Sequence, residues 1–256
     1  LFGQRIVITR ARAQASDLLS KLSKLGAQCI EIPTIQIVSP EDTAPLKKSI
    51  KNIKDYDWLV FTSVNGVKFF FDTLFDMGRD VRVLGHLKFA CIGPVTKERL
   101  KNYGIISDIL PKTYRAESVI EAFSTVEIKD KKVLLPRAKQ ARTILPEELT
   151  KMGAKVDDVT AYETRLNADG KENLISLLEN NEIDAITFTS SSTVSNFMSL
   201  LESKDAKKLL KNVVTASIGP ITSDTARSLD IEPDIEAKEY TIQGLVNSLL
   251  AYYEGK

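Results

Sequence analysis

Two segments pair small hydroxyl and amide side chains with an apolar run before them and a helical pattern after them: Thr62-Ser63-Val64-Asn65-Gly66 and, 127 residues on, Thr189-Ser190-Ser191-Ser192-Thr193. Hydroxyls at a helix start cap its unpaired N–H groups, and those same donors favour an anion. One copy reads as plain capping. Two copies at matching places favour a bound ligand. A second pair is Gly93-Pro94-Val95-Thr96 and Gly219-Pro220-Ile221-Thr222. Glycine lets a ligand approach the backbone closely, proline suits the first helical turn, and threonine supplies a hydroxyl at the mouth. The other reading is a simple turn, which the duplication weakens. Cations occupy comparable places. Arg10 and Arg12 follow the first apolar strand pattern, and Arg137, Lys139 and Arg142 follow its repeat. Arginine can fork onto a carboxylate, although surface charge is the ordinary explanation for such residues. The expected chemistry is therefore capture of an anionic small molecule by Arg10, Arg12, Thr62, Ser63, Asn65, Gly93, Thr96, Arg137, Thr189, Ser190, Ser191, Ser192, Gly219 and Thr222.

Other chemistries lack their parts. The single histidine, His86, lies in a polar stretch between elements and reads as an exposed loop residue, so neither a metal cluster nor a Ser-His pair is signalled. There is no Walker A sequence and no GxGxxG. Cys29 and Cys91 each sit in an apolar stretch and read as buried free thiols, which suits a reducing cytoplasm. The chain has 35 basic and 34 acidic side chains, a net charge of +1. That argues against a nucleic-acid partner, and local cations must do any anion capture. No apolar run approaches membrane-spanning length. The start, Leu1-Phe2-Gly3, has neither a methionine nor a signal-peptide pattern and looks like the edge of a domain cut from a longer chain.

These groups need elements to hold them, and the elements are written twice. Asp57-Trp58-Leu59-Val60-Phe61-Thr62-Ser63 repeats as Asp184-Ala185-Ile186-Thr187-Phe188-Thr189-Ser190, Arg10 falls on Arg137, and Tyr114 matches Tyr240. A repeat this long is a domain rather than a solenoid unit. Strands are expected at 5–9, 28–32, 57–62 and 88–92, and at 132–135, 155–159, 184–189 and 213–218, with helices between them. Alternation of this kind implies parallel sheets covered on both faces. The expected fold is α/β: two similar flavodoxin-like, doubly wound lobes of about five strands each, with a ligand cleft. The pattern breaks near 33–37 and 163–168. The repeat alone fits a simple tandem as well as a discontinuous arrangement.

The chain resembles the uroporphyrinogen-III synthase family over its whole length. The carriers are Ile6-Val7-Ile8-Thr9-Arg10-Ala11-Arg12, Val60-Phe61-Thr62-Ser63-Val64-Asn65-Gly66-Val67, Ile92-Gly93-Pro94-Val95-Thr96, Tyr162-Glu163-Thr164, Thr187-Phe188-Thr189-Ser190-Ser191-Ser192-Thr193-Val194 with Phe197, and Ile218-Gly219-Pro220-Ile221-Thr222. The resemblance implies a cofactor-free, metal-free lyase of tetrapyrrole biosynthesis. It would take hydroxymethylbilane, a linear tetrapyrrole with eight carboxylates, and close it with the last ring inverted through a spiro intermediate. It also implies discontinuous lobes, 1–34 with 168–256 and 38–164, and Tyr162 as the candidate acid. A phenol of reference pKa about 10 is protonated at pH 7 and can donate to a departing hydroxyl; otherwise its ring merely packs in a linker. The expected protein is a cytoplasmic monomer without nucleic-acid or membrane partners. It would be fused to a methyltransferase or supplied by neighbouring pathway enzymes. The competing expectation is a two-lobed protein that binds a small ligand without chemistry. A nucleotide-using enzyme is disfavoured by the missing phosphate loops.

Overall fold

The structure, a computed structural model, describes residues 1–10, 12–202 and 205–255, with the side chains of 12–14 outside that description. Ten strands run through the described residues in chain order: β1 (Arg5–Ile8), β2 (Gln28–Glu31), β3 (Ile35–Val38), β4 (Trp58–Phe61), β5 (Lys88–Cys91), β6 (Lys132–Ala138), β7 (Lys155–Leu166), β8 (Ala185–Phe188), β9 (Val214–Ser217) and β10 (Ile235–Glu236). The chain divides into two compact units. One comprises Leu1–Gln36 with Arg165–Lys256, and the other Ile37–Thr164.

The discontinuous unit carries the sheet β10-β9-β8-β1-β2, with every neighbouring pair parallel. Taken in chain order within the unit, this is the flavodoxin-like sequence of strands. β1 shows why the sheet must be covered on both sides. Ile6 and Ile8 join one apolar cluster, with Ala185 and Leu245, while Val7 between them joins the other, with Ile186 and Phe188. Successive side chains of a strand alternate faces, so a continuous apolar run needs helices above and below.

The continuous unit carries β3-β7-β6-β4-β5, and β4–β5, β4–β6 and β6–β7 are parallel. β4 is buried at all four residues. Leu59 and Phe61 face a cluster with Phe70, Phe71 and Leu134, and Trp58 and Val60 face one with Phe123, Leu135 and Leu149. Phe61 packs edge-on to Phe70, with ring centroids 5.6 Å apart. Truncating such a ring, as in Phe61→Ala, costs about 3–5 kcal/mol.

Each sheet draws strands from both copies of the repeat. β4 pairs with β6, Trp58 opposite Val133, and β1 pairs with β8, Ile6 opposite Ala185. The same tether secures both junctions. Asp57 accepts from the Lys132 backbone N–H at 2.8 Å, and Asp184 accepts from the Arg5 backbone N–H at 2.7 Å. Those hydrogen bonds hold the Asp57 carboxyl below the usual range, and the Arg5 guanidinium does the same for Asp184.

The structure departs from the sequence reading in three places. Ile35–Val38 is a strand where a break in the pattern was expected, and β7 runs on to Leu166, so Tyr162-Glu163-Thr164 lies in strand backbone. Cys91 is buried and its thiol is pushed up to about 11 by desolvation, but Cys29 is only half-buried because its edge strand β2 is partly open. No helix among the described residues is long and apolar enough to cross a membrane.

Candidate functional site

In the continuous unit, β4 ends at Phe61 and the chain turns through Thr62 and Ser63 into the helix Val64–Asp76. Ser63 is its N-cap, and its Oγ accepts from the Gly66 N–H at 2.9 Å. The helix starts tightly against β6: a Cβ added at Gly66 would come 2.8 Å from the Pro136 carbonyl oxygen. That close approach puts Ser63 beside the end of β7. Ser63 Oγ lies 3.0 Å from Tyr162 Oη. Tyr162 is 8% exposed and its ring stacks on Phe69, with centroids 5.7 Å apart. Next along β7, Glu163 is buried and pairs with Lys139 Nζ at 3.1 Å, while the Lys139 N–H donates to the Tyr162 carbonyl at 3.0 Å. The structure thus joins two expected residues, Ser63 and Tyr162, sets Lys139 and Glu163, both named in the sequence without this pairing, beside them, and adds Phe69. Helical spacing and strand length signal those three only weakly, because their meeting depends on strand order. Thr62 and Asn65 are half-buried at the same helix start.

The discontinuous unit repeats the device with more hydroxyls. Ser190 caps the helix Ser191–Leu201 in a capping box: its Oγ accepts from the Thr193 N–H at 3.3 Å, and Thr193 Oγ1 accepts from the Ser190 N–H at 3.2 Å. Ser192 Oγ lies 3.0 Å from Ser190 Oγ, and Ser191 Oγ donates to the Ile221 carbonyl at 3.1 Å. That last bond ties this helix start to the Gly219-Pro220 turn. Thr189 and Ser190 are half-buried. The repeat puts no tyrosine in the place of Tyr162 here: the matching position, 127 residues earlier, is Ile35, and β2, which matches the start of β7, ends at Glu31.

The Gly-Pro turns are N-caps of the helices Pro94–Lys101 and Pro220–Ser228. Thr96 and Thr222 are each only 4% exposed, so the expectation of a hydroxyl standing open at the mouth is corrected. Position N3 of each helix turns the side chain back against the first turn rather than outward. Gly93 and Gly219 do permit a close approach, but by a side chain of the protein itself: a Cβ on Gly219 would meet Tyr240 Cδ1 at 2.8 Å, and one on Gly93 would meet Tyr114 Cβ at 3.3 Å.

The arginines divide. Arg10 is half-buried just beyond β1. The side chain of Arg12 lies outside the described residues. Arg137 departs from its expected role. Its side chain is 6% exposed and ion-paired to Asp158, with Nε donating to Oδ1 at 2.6 Å. Nη1 donates to the Arg142 carbonyl. Arg137 stands opposite Thr160 in the parallel β6–β7 ladder, and Asp158, two residues before Thr160, shares its face of the sheet and meets the fork diagonally. Its bidentate face is therefore already occupied by a carboxylate. His86 lies exposed in a turn. Among the described residues no group of three or more His, Cys, Asp or Glu is arranged to hold a metal ion.

Comparison with known proteins bears on the family and the fold. The family described as uroporphyrinogen-III synthase HemD matches residues 16–247. A uroporphyrinogen-III synthase of Synechococcus elongatus is 34% identical, covering 96% of this chain and 94% of that protein. The porphyrin biosynthesis protein HemD of Ruminiclostridium josui is 31% identical over 98% of this chain, which spans only 49% of that relative's length. The fold is shared with a mutant uroporphyrinogen III synthase from Thermus thermophilus, with a TM-score of 0.60 at 15% identity, covering 99% of this chain and 100% of that one. A match along nearly the whole chain, to relatives above 30% identity, means that the chain belongs to the uroporphyrinogen-III synthase family.

Proposed function

We propose that the chain converts hydroxymethylbilane to uroporphyrinogen III, as a lyase without cofactor or metal. The observation that carries the mechanism is the Ser63–Tyr162 contact at 3.0 Å. Ser63 Oγ already accepts from the Gly66 N–H, which leaves its own proton free to point at the phenol oxygen. With Ser63 as donor, the phenol proton is available to the substrate. Tyr162 gives it to the departing hydroxyl, which leaves as water. The remaining azafulvene cation is attacked by the substituted carbon of the last pyrrole ring. The spiro intermediate then fragments and recloses with that ring inverted. A proton lost to solvent or to the phenolate restores the balance, so the net change is loss of one water. Until it is reprotonated, the Tyr162 oxyanion keeps the Ser63 hydroxyl as donor.

Orientation supplies the rest. Unassisted bilane closes head to tail to the uninverted isomer, so holding the last ring with its substituted carbon nearest the cation decides the product. In the unit that holds Tyr162, carboxylates are bound by the hydroxyls and free N–H groups at the start of the helix Val64–Asp76; the other unit offers Arg10 and the start of the helix Ser191–Leu201 for the same role. The same reading takes the protein as a cytoplasmic monomer, which sedimentation and cell fractionation test.

The deciding experiment supplies freshly made hydroxymethylbilane without metal or nucleotide and separates the product isomers. The III isomer is expected. Only the I isomer, formed at the rate seen in buffer, overturns the proposal.

A further inference from the structure

Tyr114 and Tyr240 occupy matching places in the repeat and are both largely open to solvent, 63% and 67% exposed. Each ring is nevertheless seated on a glycine. A Cβ on Gly219 would lie 2.8 Å from Tyr240 Cδ1 and 3.1 Å from its Cγ, and one on Gly93 would lie 3.3 Å from Tyr114 Cβ and 3.4 Å from its Cγ. The backbone does not demand glycine at either place. Gly93 has φ −161° and Gly219 φ 163°, extended values that any residue adopts. Glycine is there because the ring is there. One side of each ring is supported by main chain and the rest faces water.

Two residues past each glycine stands an exposed apolar side chain, Val95 at 70% and Ile221 at 78%. Single exposed apolar residues are ordinary. A tyrosine, its glycine seat and a neighbouring aliphatic side chain, all present in both units, are not explained by chance exposure. They gain little for folding, because the apolar area stays in water. Each tyrosine also follows an exposed lysine by two residues, Lys112 and Lys238.

We propose that Tyr114 and Tyr240 are positioning residues, each a platform within its own unit on which a pyrrole ring of the substrate stacks. This rests on the reading of the chain as a hydroxymethylbilane-cyclising enzyme. The ligand chemistry fits. Pyrroles are flat and electron-rich, they stack in offset or edge geometry on a phenol ring, and their carboxylates suit a nearby ammonium group. A ring pre-seated on backbone loses little freedom when it binds. Stacking fixes the plane of a pyrrole, which hydrogen bonds to carboxylates on flexible arms cannot do.

The test compares Tyr114→Ala, Tyr240→Ala, their double variant and the two Phe replacements in steady-state turnover of hydroxymethylbilane, with the isomers separated. Each Ala change is expected to raise KM about threefold to tenfold, with kcat within about twofold of the parent and an unchanged circular dichroism spectrum. The Phe variants, which keep the stacking face, are expected to retain the parent KM. Gly219→Ala, which displaces the Tyr240 ring, should reproduce Tyr240→Ala. A double Ala variant with a parent-like KM overturns the platform and leaves the enzyme reading standing. Phe variants as impaired as the Ala variants also overturn it, since the hydroxyl would then be the working group. A parent protein that forms no III isomer overturns both readings together.

Discussion

Ser63 Oγ stands between two partners, the Gly66 N–H at 2.9 Å and Tyr162 Oη at 3.0 Å. One oxygen therefore caps a helix and orients a phenol. Ser63→Ala removes both functions. The lost cap should lower stability by about 1 kcal/mol in urea unfolding. The released phenol should lower kcat as well. Ser190→Ala loses a capping box without a phenol partner and should show a similar stability loss with little change in kcat. Equal kcat losses in the two variants would separate the serine effect from Tyr162.

Tyr162→Phe keeps the ring on Phe69 and removes the hydroxyl, and with it the proton and the Ser63 contact. Turnover should fall about 10²-fold or more, with KM nearly unchanged, if the phenol is the acid. A variant within twofold of the parent would show that substrate positioning carries the reaction.

Gly66→Ala tests how closely the helix start approaches β6. Alanine in a helix is ordinarily better than glycine by about 1 kcal/mol. Here the new Cβ meets the Pro136 carbonyl at 2.8 Å, a backbone atom that cannot swing aside. The sign should reverse to a loss of about 1–3 kcal/mol, read by thermal or urea unfolding.

Arg137→Leu separates fold from binding. Its guanidinium is buried and holds Asp158, which is 39% exposed and can hydrate once released. Stability should fall by about 1–3 kcal/mol, below the full penalty for a stranded buried charge, and KM should barely move. Arg10→Ala should raise KM more than Arg137→Leu does.

The Asp57 and Asp184 tethers predict a shared acid limb. Both carboxyls are held below their ordinary values in the folded protein. A depressed folded pKa stabilises above the unfolded value, about 4, and that stabilisation is lost as pH falls through the folded value. Asp184→Asn should therefore be less stable than the parent at neutral pH, and the gap should shrink as pH falls below about 4. A gap that stays constant down to pH 2 would remove the tether from the account.

The strands were legible where apolar residues run unbroken. β4 and β8 are four buried residues each, and the repeat marks them twice. β3 was hidden because Pro33 and Pro40 bracket four residues, Ile35-Gln36-Ile37-Val38, that make only one short edge. The end of β7 was hidden because Glu163, Thr164 and Arg165 are polar, yet they lie in a strand continuing to Leu166. At the site, hydroxyl capping was readable because a cap is local. The Ser63–Tyr162 contact was not, because 99 residues separate the pair and only the strand order β7-β6-β4 closes the distance. Arg137 was misread for the same kind of reason. Its partner, Asp158, is fixed by the register of the β6–β7 ladder, which composition does not record.

The sharing of repeats between sheets also sets an order of assembly during synthesis. The unit Ile37–Thr164 is one continuous stretch, so its strands are all present once Thr164 has left the ribosome. β1 and β2 emerge first, but the neighbour of β1, β8, begins only at Ala185, and β9 and β10 come later still. Of the two units, the one whose synthesis starts earlier is thus the later to be completed. Residues 1–36 must wait with the β8 side of β1 uncovered while a complete unit folds behind them, and loop closure across that finished unit is then short in space though long in sequence.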